Sequence, residues 1–294
     1  MAKRKKSGQV NEKVAARKAA RKAALAAPRR SFEGLPGEAD WVAMREVVPA
    51  ASATARTTAE YGAREVTVVT VLPGLLPAMH REDGQILVAL QNVTSSGDPS
   101  RDVAAALLQV LDAEPGTSLT HLDLPGPGPR LQDVLDLDAP FEVTLHDTFD
   151  FVLPPDTEPT PELTSALEEF AGAIVPTVKL ESVASAYWCR MGAREFLRWS
   201  RTEDEEALLD ALARLHAARS SAIDDDARFI GAFRSCALVV PVWELAPGTE
   251  AEELEGVAPA FEERLAEALA VTEPLNADER RARAGIVSRQ VTLR

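Results

Sequence analysis

The chain has 294 residues, 46% of them hydrophobic, and a formal net charge of −14. That apolar content is globular rather than disordered, and at this length folding buries roughly 75% of the unfolded surface. Cys189 and Cys236 are too few for a disulfide framework or a four-cysteine zinc site, and no apolar run approaches the ~20 residues of a membrane-crossing helix, so a cytoplasmic protein is expected.

Residues 1–30 form a basic arm with eleven Lys+Arg against the single acid Glu12, a net charge of +10, whereas residues 31–294 carry −24. Six of the seven lysines lie in the arm, and Lys179 is the exception. A signal peptide is rejected because Ala23–Ala27 is too short and weakly apolar. A twin-arginine signal at Arg29-Arg30-Ser31-Phe32 is rejected because Glu33, Gly34, Pro36 and Gly37 follow. The tip, 1–9, has too few apolar groups to fold. Asn11 to Ala27 reads as a helix capped by Asn11 and stopped by Pro28. At 100° per residue Lys13, Arg17, Lys18, Arg21 and Lys22 cover about half of it, opposite a face of alanine.

The fold class expected is α+β, with two subdomains of similar pattern, mainly antiparallel strands and flanking helices, behind the helical arm. The first subdomain spans 31–153. It opens with a helix at Glu38–Glu46 presenting Trp41, then a small-residue stretch to Thr58. Val66–Leu72 and Ile86–Leu90 read as strands, the second reached through the turn Asp83-Gly84. Ser100–Leu111 reads as a helix, Pro125–Pro129 as loop, and Phe141–Leu145 with Phe149–Leu153 as a strand pair.

A Pro-rich linker at 154–160 leads to the second subdomain, 161–294, which opens with a helix capped by Thr160. Ala184–Arg190 reads as a strand, then Arg194–Trp199 and Glu203–Ala217 as helices, the latter opened by a capping box of Thr202 and Glu205. Phe229–Phe233 and Ala237–Leu245 read as strands, Pro241 marking an edge or a bulge. Helices near Phe261–Leu269 and Asp278–Ala284 and a terminal strand Val287–Leu293 complete the chain.

No catalytic residue, metal ligand or cofactor is assigned. Phosphate-loop and dinucleotide glycine patterns are absent, and the prolines beside Gly126 and Gly128 cannot donate to a phosphate. His146 with Asp147 and Asp150 is the closest approach to an acid–base cluster, and reads better as a polar hairpin end. Asp224-Asp225-Asp226 lacks the alternating spacing and glycine turn of a cation loop. His216 suits a helix C-terminus, and Cys189 reads as a buried small residue. Trp188, Arg190, Arg198 and Trp199 form an Arg/Trp-rich locality able to stack on a ligand or partner if exposed.

Five segments together resemble an actinobacterial family of uncharacterised proteins often mislabelled as preprotein translocase SecA. They are Phe32-Glu33-Gly34-Leu35-Pro36-Gly37-Glu38 with Asp40-Trp41, Ser96-Gly97-Asp98-Pro99-Ser100-Arg101-Asp102, Tyr187-Trp188-Cys189-Arg190, Leu238-Val239-Val240-Pro241-Val242-Trp243 and Ser288-Arg289-Gln290-Val291-Thr292-Leu293-Arg294. Many members carry an N-terminal zinc motif resembling the Cys/His tail of SecA, a module associated with ribosome and translocase contacts. Residues 1–79 here contain no Cys or His, and the basic arm stands in that place. The resemblance implies no catalytic residues.

The functional expectation is therefore a non-enzymatic accessory protein whose arm binds RNA or the ribosome through Lys3, Arg4, Lys5, Lys6, Lys13, Arg17, Lys18, Arg21, Lys22, Arg29 and Arg30. A membrane partner is disfavoured because the face opposite the bases offers only alanine. Three other readings compete: the arm docking on the acidic body, an enzyme or small-ligand site between the two halves, and a protein-interaction adaptor built on the Trp/Arg locality.

Overall fold

The computed structural model describes residues 30–289 except 48, 49, 92, 94, 155–159 and 173. Two sheets organise them. The first has strand order β5-β3-β4-β2-β1-β6, built from β1 (Ala51–Arg56), β2 (Glu65–Val69), β3 (Ala78–His80), β4 (Ile86–Ala89), β5 (Thr117–Leu119) and β6 (Val143–Leu145). Its β2 and β4 run parallel, and its other neighbours are antiparallel. The second sheet is antiparallel throughout, in the order β10-β11-β9-β8-β7, from β7 (Thr177–Lys179), β8 (Ala186–Met191), β9 (Arg194–Trp199), β10 (Arg228–Ser235) and β11 (Leu238–Glu244).

Helix α1 (Glu38–Glu46) starts from Gly37, which turns the chain at φ 66°. A side chain there would be strained by that φ and would crowd Phe141 at 3.3 Å. Glu38 and Asp40 in its first turn and Arg45 in its last complement the helix dipole. Helix α2 (Pro99–Leu111) puts proline in its first turn, where no hydrogen bond is lost. The one-turn α3 (Leu131–Val134) and α4 (Pro161–Ala171) follow, then α5 (Glu205–Ala217), α6 (Ala251–Leu269) and α7 (Ala277–Arg289).

The largest core lies between the sheets. Alternation along β1 and β2 sends Ala51, Ala53, Ala55, Val66 and Val68 inward, against Trp41 of α1 and Val103, Leu107 and Val110 of α2. Tyr187, Phe233, Val240 and Val242 of the second sheet join the same cluster. Trp41 stacks on Phe141 at 4.1 Å and Phe32 at 5.7 Å between ring centroids. On its other face the second sheet packs Trp188, Trp199 and Trp243 against α5, α6 and α7 through Leu212, Phe261 and Ile286. A third, smaller cluster covers part of the first sheet's outer face, where Val69, Leu87 and Ala89 meet Phe149, Val152 and Leu167 of α4.

Several expected elements change. The small-residue stretch before Thr58 contains β1, an inner strand of the first sheet. Phe141–Leu145 and Phe149–Leu153 are not a pair: β6 pairs with β1, and Asp150–Val152 is a 3-10 turn. The turn Asp83-Gly84 joins β3 to β4, not Val66–Leu72 to Ile86–Leu90. Arg194–Trp199 is a strand paired with β8. The cap of α5 is Asp204, whose side chain accepts from the amides of Glu206 and Ala207, rather than Thr202. Pro241 lies in an inner strand, just beyond the Val242–Glu244 ladder with β9, and its partner strand is bulged between Phe229 and Gly231. Val287 to Arg289 close helix α7 instead of opening a strand, and 290–294 lie outside the described residues. Among the described residues no helix is long and apolar enough to cross a membrane.

Candidate functional site

Of the eleven arm cations, Lys3, Arg4, Lys5, Lys6, Lys13, Arg17, Lys18, Arg21, Lys22 and Arg29 lie outside the described residues, as does the expected arm helix. Arg30 is described, and it marks the root of the arm rather than a free cation. Its Nε and Nη2 donate to the Glu38 carboxylate at 2.9 and 2.5 Å, and Glu33 lies 3.7 Å away. The hydrogen bond to Glu38 raises its pKa above the ordinary guanidinium value.

The residues just after it are clamped. Arg130 donates to the Ser31 carbonyl at 2.6 Å, and Gln132 donates to the carbonyls of Ser31 and Glu33 at 3.0 Å each. Both clamping side chains are themselves held. Arg130 Nε donates to the fully buried Asp98 at 3.0 Å, and Ser100 Oγ donates to Gln132 Oε1 at 2.6 Å. The segments containing Phe32 and Ser96–Asp102, distant in sequence, thus form one polar knot at the start of the described body.

Many other arginines face carboxylates of the same chain. Arg194 and Arg228 converge on Glu244, Arg201 on Glu203 and Glu262, and Arg283 on Glu206 and Asp210. Arg190 bridges Glu195 and Glu250. Hydrogen bonds from these arginines hold the Glu244 and Glu195 carboxyls below the ordinary range. Such groups neutralise one another and leave little field for a polyanion.

In the Trp/Arg locality the tryptophans are core residues flanked by arginines. Trp188 and Trp199 are 3% and 1% exposed, with their indole N–H groups donating to the carbonyls of Thr249 and Ala184. Arg190 covers the Trp188 ring at 4.9 Å, and Arg198 reaches Met191 Sδ at 2.8 Å. Alternation on β8 and β9 buries both rings in the second core, which removes the stacking surface an adaptor would need. Burial raises the Cys189 thiol pKa, so it is no ready nucleophile.

The remaining sequence candidates are placed as follows. Asp224 accepts from the amides of Asp226 and Ala227 in a turn, and among the described residues no group of three or more His, Cys, Asp or Glu could hold a metal. His216 Nδ1 lies 2.9 Å from Ser221 Oγ. His146 contacts Ser52 Oγ through Nε2 at 2.8 Å and stacks on Phe151 at 4.0 Å. Those two partners are 94 residues apart, and no local signal marks them.

Sequence reasoning also missed an open groove of about 640 Å³ on the bare part of the first sheet's outer face. Thr54 and Arg56 of β1 form its floor, with Glu65, Pro140, Glu142 and Thr144 around them. All of its lining falls within the first sheet's strands and connections, not between the two sheets. The seam between the sheets is filled by core side chains and by Asp40, which accepts from Tyr187 at 2.7 Å and Lys179 at 2.8 Å.

No curated protein and no solved structure matches the chain. A family model does match, over residues 31–294, starting where the described body starts and leaving the basic arm outside. The chain accordingly belongs to DUF5926, a family of unknown function.

Proposed function

We propose that the protein is a non-enzymatic, cytoplasmic accessory factor whose basic arm binds RNA, ribosomal RNA included, and tethers the acidic body to it. One observation carries the reading: +10 charges are concentrated in residues 1–30 while residues 31–294 carry −24. Clustered Lys and Arg release counterions from a phosphate backbone, whereas a body so acidic repels one. The ion pairing of body arginines and the clamped root support the same division of labour.

The test compares full-length protein with a chain lacking residues 1–29, using anisotropy of a labelled RNA and co-sedimentation with ribosomes. Loss of both signals in the truncated chain, with its unfolding transition retained, is the expected result. Undiminished binding without the arm ends the proposal. The outer-face groove favours one second reading, a small-ligand binder with its site on the first sheet.

A further inference from the structure

The segment Ser96-Gly97-Asp98-Pro99-Ser100-Arg101-Asp102 does more than clamp the arm's root. It ends the connection from β4 and opens α2. Strands β2 and β4 are parallel, in register Thr67↔Leu87, Val68↔Val88 and Val69↔Ala89. The chain leaves the carboxyl end of β4, and after one connection the positive end of a 13-residue helix begins. The carboxyl edge of parallel strands followed by a helix N-terminus is where mixed sheets place anionic ligands.

A second observation points to a ligand there. Arg101, in the first turn of α2, is 6% exposed. Its Nη2 points toward the helix start, 3.6 Å from Asp98 Oδ2, but its Nε and Nη1 have no hydrogen-bond partner among the protein groups. Asp98 is already occupied by Arg130. Arg45, at the end of α1, has a buried Nε without a hydrogen-bond partner, 3.9 Å from the Glu46 carboxylate. It acts electrostatically on Asp102, the next residue of α2. Asp102 Oδ2 accepts from the Ser96 amide at 3.0 Å, while its Oδ1 is unpartnered. Buried guanidinium donors without acceptors are strongly unfavourable, so the native protein must supply acceptors to them.

We propose that the N-terminus of α2 is a binding site for a small oxyanion of phosphate size, held by the Arg101 guanidinium with Arg45 beside it. The carboxylates near these two arginines are Asp98, Asp102 and, beside Arg45, Glu46. The first is neutralised by Arg130. The second is raised in pKa by burial, against the lowering effect of the Ser96 hydrogen bond and of Arg45. An oxyanion would accept from one edge of the guanidinium, Nη1 together with Nη2. The burial of Arg101 favours a free ion over the phosphate of a larger molecule.

The experiment uses the full chain at constant ionic strength, with inorganic phosphate replacing chloride, and reads thermal unfolding. Glycerol 3-phosphate in a parallel arm distinguishes a free ion from a phosphomonoester. A ligand bound only by the folded state raises the midpoint with concentration. The expected result is a phosphate-specific rise in wild type and in a full-length variant whose arm bases are all glutamine. The rise is abolished in R101M and weakened at least tenfold in apparent affinity in R101K, which retains charge but not the guanidinium. Should R101M fail to fold, R101K and the ³¹P line width of inorganic phosphate on wild type carry the test. Absence of a phosphate-specific rise, its persistence in both Arg101 variants, or its loss in the arm variant each overturns the site. RNA binding through the arm stands or falls separately, by truncation.

Discussion

Tyr187 of β8 donates its hydroxyl to Asp40 of α1 at 2.7 Å, in a buried contact between residues 147 apart in sequence. The other carboxylate oxygen takes Lys179 Nζ at 2.8 Å. The only lysine outside the arm is therefore used to hold the second sheet's edge strand against the first helix. Burial foremost, and then the Asp40 charge, push the Tyr187 pKa far above its ordinary value, so the phenol remains a donor at any physiological pH.

Y187F deletes that donor while leaving the ring packed and Lys179 on Asp40. The expected loss is about 1.5–3 kcal/mol, the range for a hydrogen bond to a charged group. D40A strips partners from both Tyr187 and Lys179, and about 3–5 kcal/mol is expected. Urea denaturation of the full chain checks both, and a Y187F midpoint equal to wild type would show that the contact contributes nothing.

The proposed RNA binding through the arm predicts a distinctive salt signature. If about six of its cations meet phosphates, log affinity falls against log salt with a slope near −4 for single strands and −5 for a duplex. Anisotropy titrations between about 50 and 200 mM salt measure it, a range over which affinity falls roughly 250-fold for single strands and roughly 1,000-fold for a duplex. A slope shallower than about −1 means that the arm's charge is not what binds.

The strongly patterned elements were legible because their signals are local: α1, α2 and β4 carry propensity and periodicity in one short window. β9 was misread because Arg194-Glu195-Phe196-Leu197-Arg198-Trp199 is rich in good helix formers. Its conformation is set by pairing Arg194 to Met191 and Trp199 to Ala186, with Gly192 turning at φ 64°. β1 was missed for the opposite reason: Ala-Ser-Ala-Thr-Ala-Arg has little strand preference and is ordered by β2 and β6 on either side. The contacts Ser52–His146, Asp98–Arg130 and Asp40–Tyr187 are fixed by topology, and nothing in a sequence window could announce them.

The polar knot at the start of the described body yields a stability prediction. Asp98 is 0% exposed, and Arg130 supplies its closest cation at 3.0 Å against 3.6 Å for Arg101. R130M leaves a buried carboxylate poorly compensated and leaves the Ser31 carbonyl to Gln132 alone, so about 3–5 kcal/mol is expected. D98N in the same background should restore part of the loss by removing the stranded charge. A double-mutant cycle by chemical denaturation reads the coupling, and strictly additive effects would contradict the pairing.

Acid should destabilise the protein partly through His146. Burial lowers its pKa below the ordinary 6.5, with Asp147 only partly opposing, and burial together with Arg289 lowers His216 as well. A depressed folded-state pKa means that the unfolded chain takes up protons first as pH falls. The stability each ring contributes is complete above the unfolded value of 6.5 and is lost as pH falls toward the folded one. Asp102 acts in the opposite sense: burial raises its pKa, so the folded state gains a proton more readily over a range above 3.8. In H146Q the stability lost between about pH 7 and pH 5 should shrink, because a neutral amide has no proton to gain. The imidazole proton resonances of His146 should titrate with a midpoint below 6.5, and a midpoint at or above that value would show that Ser52 and Phe151 do not hold the ring out of water.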